Sequence, residues 1–177
     1  SEDIKEVVTY KPLGSWVPNI PGQPTDPIKY PNDPTDPTKP GQPTEVVPYV
    51  PGYTPKDKDG NPLKPVDPND PTKGYEVPNL PTDPSQDTPI NYVKDTQKAK
   101  TTFVDEKGNS IPGVDAITEE GDSDTPLTKE AEVKAKIKEL ENKGYELVSN
   151  TYPEGGKFDK DVNTDQEFTV TLKERVV

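Results

Sequence analysis

Two rhythms of apolar and polar positions divide this chain. Beyond residue 95 the apolar residues recur at the spacings of strands and helices. Phe168, Val170 and Leu172 alternate with polar neighbours, which predicts a strand over 166–172 with one buried face. Val133, Ile137 and Leu140 step by four and three, which predicts a helix capped by Thr128. Glu130 and Glu132 suit its positive end, Lys138 and Lys143 its negative end, and Gly144 stops it. Residues 100–105 read as a first strand, 106–110 as a glycine-bearing hairpin loop, and 110–117 as a return strand interrupted by Pro112 and Gly113. Residues 121–125 read as an acidic turn and 145–149 as a third strand. The order strand, strand, helix, strand, strand predicts one helix packed across a small mixed sheet, a β-grasp (ubiquitin-like) arrangement. Its expected core is Phe103, Val133, Ile137, Leu140, Leu147, Phe168, Val170 and Leu172.

Residues 1–95 follow a different beat. Prolines fall at 18, 21, 24 and 27, at 31, 34, 37, 40 and 43, and again at 62, 65, 68 and 71. A three-residue period matches polyproline II, which has three residues per turn and no internal hydrogen bonds. Of the 24 prolines, 21 lie in this half, so the compositional boundary sits near residue 95. The predicted organisation is an elongated, proline-rich extended or β module over 1–95 and the β-grasp-like domain over 96–177. A repeat of about thirty residues runs through the first module. Val17-Pro18-Asn19-Ile20-Pro21 returns as Val47-Pro48-Tyr49-Val50-Pro51 and as Val77-Pro78-Asn79-Leu80-Pro81.

Charge and composition remove several function classes. The formal net charge of −12 disfavours nucleic acid and anionic lipid, both of which need clustered Lys and Arg. Nothing approaches the ~20 apolar residues of a membrane span, and no secretory signal is present, so a mature fragment is expected. The chain has no His, Cys or Met, which excludes thiol, haem and zinc–histidine chemistry. The densest acidic group is Glu119, Glu120, Asp122 and Asp124, but a glycosidase needs two carboxyls across a cleft and a one-helix domain offers little cleft. No enzyme is expected.

The candidate chemistry is therefore that of binding. Trp16, Tyr49, Tyr53 and Tyr152 are the candidate ligand contacts, since aromatic rings stack on sugar faces; the alternative, for Trp16, Tyr30, Tyr49, Tyr53 and Tyr75, is that they pin together a first module poor in other apolar residues. Asp159, Asp161, Asn163 and Asp165 place oxygen ligands at alternate positions, a candidate Ca2+ loop that lacks the usual glycine and closing glutamate. Asp57, Asp59 and Asn61 read more simply as a turn.

A family resemblance sharpens this reading. Lys143-Gly144-Tyr145-Glu146-Leu147-Val148-Ser149-Asn150 is followed by Tyr152-Pro153, by Gly155-Gly156 with Phe158-Asp159, and by Asp165-Gln166 with Phe168, Val170 and Leu172. This run resembles the mucin-binding (Mub/MucBP-type) repeats of surface adhesins from lactobacilli and streptococci. The preceding stretches, Gly14-Ser15-Trp16-Val17-Pro18 and Pro48-Tyr49-Val50-Pro51-Gly52-Tyr53, are similar to the segment that leads into such a module. The resemblance implies a non-enzymatic adhesion module, a monomer in a tandem array. It further implies a larger protein anchored to the bacterial cell wall and exposed outside the cell. The implied partners are host mucin glycoproteins and glycans, held by weak contacts summed over many repeats. The alternative is an extended stalk that projects other adhesive domains: as polyproline, residues 18–43 would span on the order of 80 Å. Sialylated or sulfated mucin is itself acidic, so a bound cation would ease its approach to this chain.

Overall fold

A computed structural model describes residues 12–33, 35, 41 and 43–175. The chain divides into two units, one made of residues 1–50 and 54–93, the other of residues 51–53 and 94–177. Among the described residues the structure is mostly β with a single α-helix, in two four-stranded mixed sheets.

The first sheet has the strands β1 (Ser15–Asn19), β2 (Ile28–Lys29), β3 (Tyr53–Lys56) and β4 (Thr88–Lys94), ordered β2-β1-β4-β3; all but the terminal residues Tyr53 and Lys94 belong to the first unit. β1 runs antiparallel to β2 and parallel to β4, with Trp16 opposite both Ile28 and Thr88. β2 covers only Ser15 and Trp16, so β1 is an edge strand from Val17 onward, where Pro18 is tolerated. Trp16, Ile28, Tyr30, Val47, Leu63, Tyr75, Ile90 and Tyr92 form the buried apolar set. Strand pairing therefore takes over part of the polyproline expectation, since Pro18 lies in β1 and Pro89 in β4. Pro34, Pro37 and Pro40 lie outside the described residues. The three copies of the thirty-residue repeat occupy three different environments. The first lies in β1, the second puts Val47 in a two-bond bridge with Tyr75, and the third belongs to no strand or helix.

The second unit holds β5 (Thr96–Val104), β6 (Ile117–Asp122), α1 (Glu130–Asn142), β7 (Tyr145–Asn150) and β8 (Gln166–Glu174). Its sheet order is β6-β5-β8-β7, with β5 parallel to β8 and the two outer pairs antiparallel. The helix buries Val133, Ile137 and Leu140 against Phe103, Ile111, Ile117, Tyr152, Val170 and Leu172. Each such side chain contributes about 1.5–3 kcal/mol on burial.

Four sequence expectations are corrected here. Residues 110–117 are no strand: they touch β5 through a single Val104–Ser110 bridge, and the return strand β6 begins at Ile117. It runs through Gly121 and Asp122, which read locally as a turn, because Ile117 and Glu119 alternate inward in register with Thr101 and Ala99. Leu147 is 38% exposed, not core, because β7 is an edge strand whose register shifts between Leu147 and Ser149. Thr128 does not cap the helix through its side chain: the helix starts at Glu130, and a different device, described below, holds its entry.

Residues 51–53 fold with the second unit. The Gly52 carbonyl accepts from the Asp95 N–H at 2.8 Å and from the Ser123 hydroxyl at 2.6 Å. Gly52 has φ 83°, where a side chain is strained, and an added Cβ there would press on Ser123 Oγ.

Candidate functional site

Of the four aromatic candidates, two are spent on the fold. Trp16 is 2% exposed: its ring meets Tyr30 edge-on at 4.7 Å and its indole N–H donates to the Pro78 carbonyl at 3.0 Å. Tyr30 in turn donates to the Gln86 carbonyl at 2.8 Å. Tyr152 is 6% exposed and packs edge-on against Phe168 at 5.1 Å. The expectation that these two stand open to a ligand is corrected by their burial. An aromatic residue in a chain this poor in aliphatic side chains is the largest hydrophobic group available, and burial claims it first. Tyr49, in the first unit, and Tyr53, in the second, are half-buried.

Tyr152 instead organises the entry of α1. Its hydroxyl donates to Glu119 Oε2 at 2.9 Å and accepts from the Lys129 N–H at 3.1 Å. Glu119, buried on β6, accepts from the Thr128 N–H at 2.8 Å through its other oxygen. One carboxyl group and one phenol thus satisfy two N–H groups just ahead of the helix. Burial, reinforced by the bond to Glu119, pushes the Tyr152 phenol up to about 12. Burial raises Tyr30 and Tyr92 too, Tyr92 while donating to the Pro48 carbonyl at 2.6 Å. Glu119 belonged to the acidic group weighed for catalysis; here its two oxygens hold the helix entry.

The candidate Ca2+ loop is a run of turns. Asp159 Oδ1 accepts from the Asp161 N–H at 3.2 Å, and Asp161 Oδ1 from the Asn163 N–H at 3.0 Å. Among the described residues no three acidic side chains gather as a metal-holding group, Asp159, Asp161 and Asp165 included. The turn reading of 57–61 has the same grammar: Asp57 Oδ1 accepts from the Asp59 and Asn61 N–H groups, each at 2.9 Å.

Two surface grooves in the second unit offer room for a ligand. One, of about 520 Å³, lies beside Lys98, Lys100, Thr128, Lys129 and Asp165. The other, of about 470 Å³, is walled by the 105–112 loop, by Tyr145 at the start of β7, and by Lys173 and Glu174 at the end of β8. Asp105 shapes that loop as Asp57 shapes its own: Oδ1 accepts from the Lys107 and Asn109 N–H groups, each at 2.9 Å. Sequence reasoning passed over Tyr145 and Asn109. The signal available was the recurrence of Asp-x-x-Gly-Asn at 57–61 and 105–109, a turn rigid enough to frame a surface.

Among the described residues no helix is long and apolar enough to cross a membrane. No curated protein matches the chain. Among solved structures, the type 2 repeat of the mucus binding protein MUB from Lactobacillus reuteri is 29% identical, with a TM-score of 0.38. That match covers 45% of this chain and 41% of that one, so it spans less than half of the solved chain. Residues 97–174, which run from β5 to the end of β8, match the family described as "Mucin binding domain". The likeness to the mucin binding domain family is thus confined to the second unit, over residues 97–174.

Proposed function

We propose that this chain is a non-enzymatic adhesion module, one repeat of a larger bacterial surface protein, that holds mucin glycoproteins through weak contacts multiplied along an array. The match of residues 97–174 to the mucin binding domain family is the observation that carries this reading. The order β6-β5-β8-β7 with one helix across the sheet supports a β-grasp domain as its scaffold. Shallow open grooves, rather than a deep cleft, suit modest affinity per site and a gain on repetition. The location that goes with this role is outside the cell, on a wall-anchored parent protein.

One observation favours a division of labour. The first unit buries Trp16, Tyr30, Tyr75 and Tyr92 in its own interior, which removes most of its sugar-stacking surface. We infer for it a spacer role, the stalk reading confined to half the chain. The test is surface binding of the whole folded chain to immobilised mucin, alone and as two copies joined in tandem. Saturable binding, with an affinity gain on the order of 10²–10⁴ for the tandem, supports the proposal. A folded chain that does not bind in either form leaves only the spacer role.

A further inference from the structure

We propose that the groove between the 105–112 loop and the ends of β7 and β8 is a subsite for a neutral pyranose, a hexose or N-acetylhexosamine. This deepens the adhesion reading and rests on it.

The argument begins with what the groove presents. Tyr145 forms part of its wall, half-buried against the core of the unit, with no hydrogen bond to its hydroxyl among the described residues. Exposed Pro112 extends that apolar wall. A pyranose has one face of C–H groups and a rim of hydroxyls, so it needs an aromatic or apolar wall flanked by amide and carboxyl groups. Asn109 supplies the amide. Its backbone is held by Asp105 at both ends of the turn, N–H to Oδ1 at 2.9 Å and carbonyl to the Asp105 N–H at 2.8 Å. Its side chain makes no hydrogen bond among the described residues and is free for a ligand. The turn is closed again where the Ile111 N–H donates to the Phe103 carbonyl at 3.0 Å, so the wall is preformed and ligand binding orders little backbone.

Charge selects the ligand class. Lys107 and Lys173 face Asp105, Glu106 and Glu174 around the groove, an excess of one negative charge. An anionic sugar is disfavoured there, and a neutral one with several hydroxyls finds both donors and acceptors. The second groove does not take the anion instead. Lys98 is paired with Glu120 at 3.7 Å and Lys129 with Glu132 at 3.3 Å, while Glu119 is already engaged by Thr128 and Tyr152. Only Lys100 is left there without a charge partner among the described residues.

The test is titration of the whole chain with a neutral N-acetylhexosamine-bearing oligosaccharide and with its sialylated counterpart, read by amide chemical shifts. In parallel, mucin binding is measured for Tyr145→Ala and Asn109→Ala. The expected result is shifts confined to residues 105–112, 145 and 173–174 with the neutral sugar, weaker ones with the sialylated sugar, and about tenfold weaker mucin binding for either variant. Asn109→Ala guards against loss of fold, since only its side chain leaves the turn. Mucin binding unchanged in both variants overturns the subsite and leaves the adhesion reading standing; absence of mucin binding by the parent chain overturns both. Preference for the sialylated sugar at these residues overturns the neutral assignment.

Discussion

Tyr152 and Glu119 exert their effect by satisfying N–H groups that the helix itself cannot. Replacing Tyr152 with Phe leaves the Lys129 N–H and one Glu119 oxygen without their partner, and is expected to cost about 1–3 kcal/mol in a denaturant titration. The raised phenol also sets an alkaline limit. A group whose folded value lies above its unfolded value near 10 stabilises the fold fully below that pH. The contribution is lost as pH rises from about 10 through about 12. The Tyr152→Phe chain is therefore expected to lose less stability across that window than the parent does. Thr101 works the other way: it is wholly buried on β5 and its hydroxyl has no hydrogen-bond partner among the described residues. The isosteric Thr101→Val is expected to raise stability by about 1 kcal/mol, seen as a higher melting temperature. At Gly121 the Phe158 ring lies where a Cβ would stand, so Gly121→Ala is expected to cost about 1–3 kcal/mol through overpacking. None of these three roles shows in local sequence: each depends on a partner more than twenty residues away or on a strand pairing. Trp16 is the sharpest case. Nothing in a proline-rich stretch signals that Tyr30 and the Pro78 carbonyl will enclose it.

At the scale of elements, what repeats locally was legible and what pairs at a distance was not. The helix could be read because Val133, Ile137 and Leu140 define its buried stripe without reference to any other element. β8 could be read because Phe168, Val170 and Leu172 alternate, although Phe168 ends only half-buried. β6 could not, since Glu119, Glu120, Gly121 and Asp122 are poor strand formers and owe their extended form to register with β5. Sheet pairing in the first half was hidden for the same reason, prolines masking β1 and β4. β7 shows how an edge strand escapes the pattern: Leu147 and Val148, 38% and 48% exposed, look like core residues in sequence. Changing both to Thr is expected to alter stability by less than about 0.5 kcal/mol each, whereas Ile137→Ala is expected to cost about 2–5 kcal/mol. The candidate site was legible only as a class. Aromatics pointed to sugar binding and one acidic loop to calcium, but the fold uses Trp16 and Tyr152 internally and leaves Tyr145 at the groove.

For the whole molecule the governing fact is the net charge of −12. Sialylated mucin is also acidic, so under the proposed function the two would repel at range and bind only through close contacts. Repulsion between exposed charges is screened over about 10 Å at 0.1 M salt. Mucin binding is therefore expected to strengthen as salt rises to that level, the reverse of electrostatic docking, and a surface-binding titration in salt checks it. The central claim is that recognition runs through uncharged sugar. The measurement that tests it most directly is binding of the intact chain to one mucin preparation in three states: untreated, desialylated, and fully deglycosylated. The account predicts that desialylation preserves or strengthens binding and that full deglycosylation abolishes it. Loss of binding on desialylation alone, or its survival on the bare polypeptide, would contradict the account.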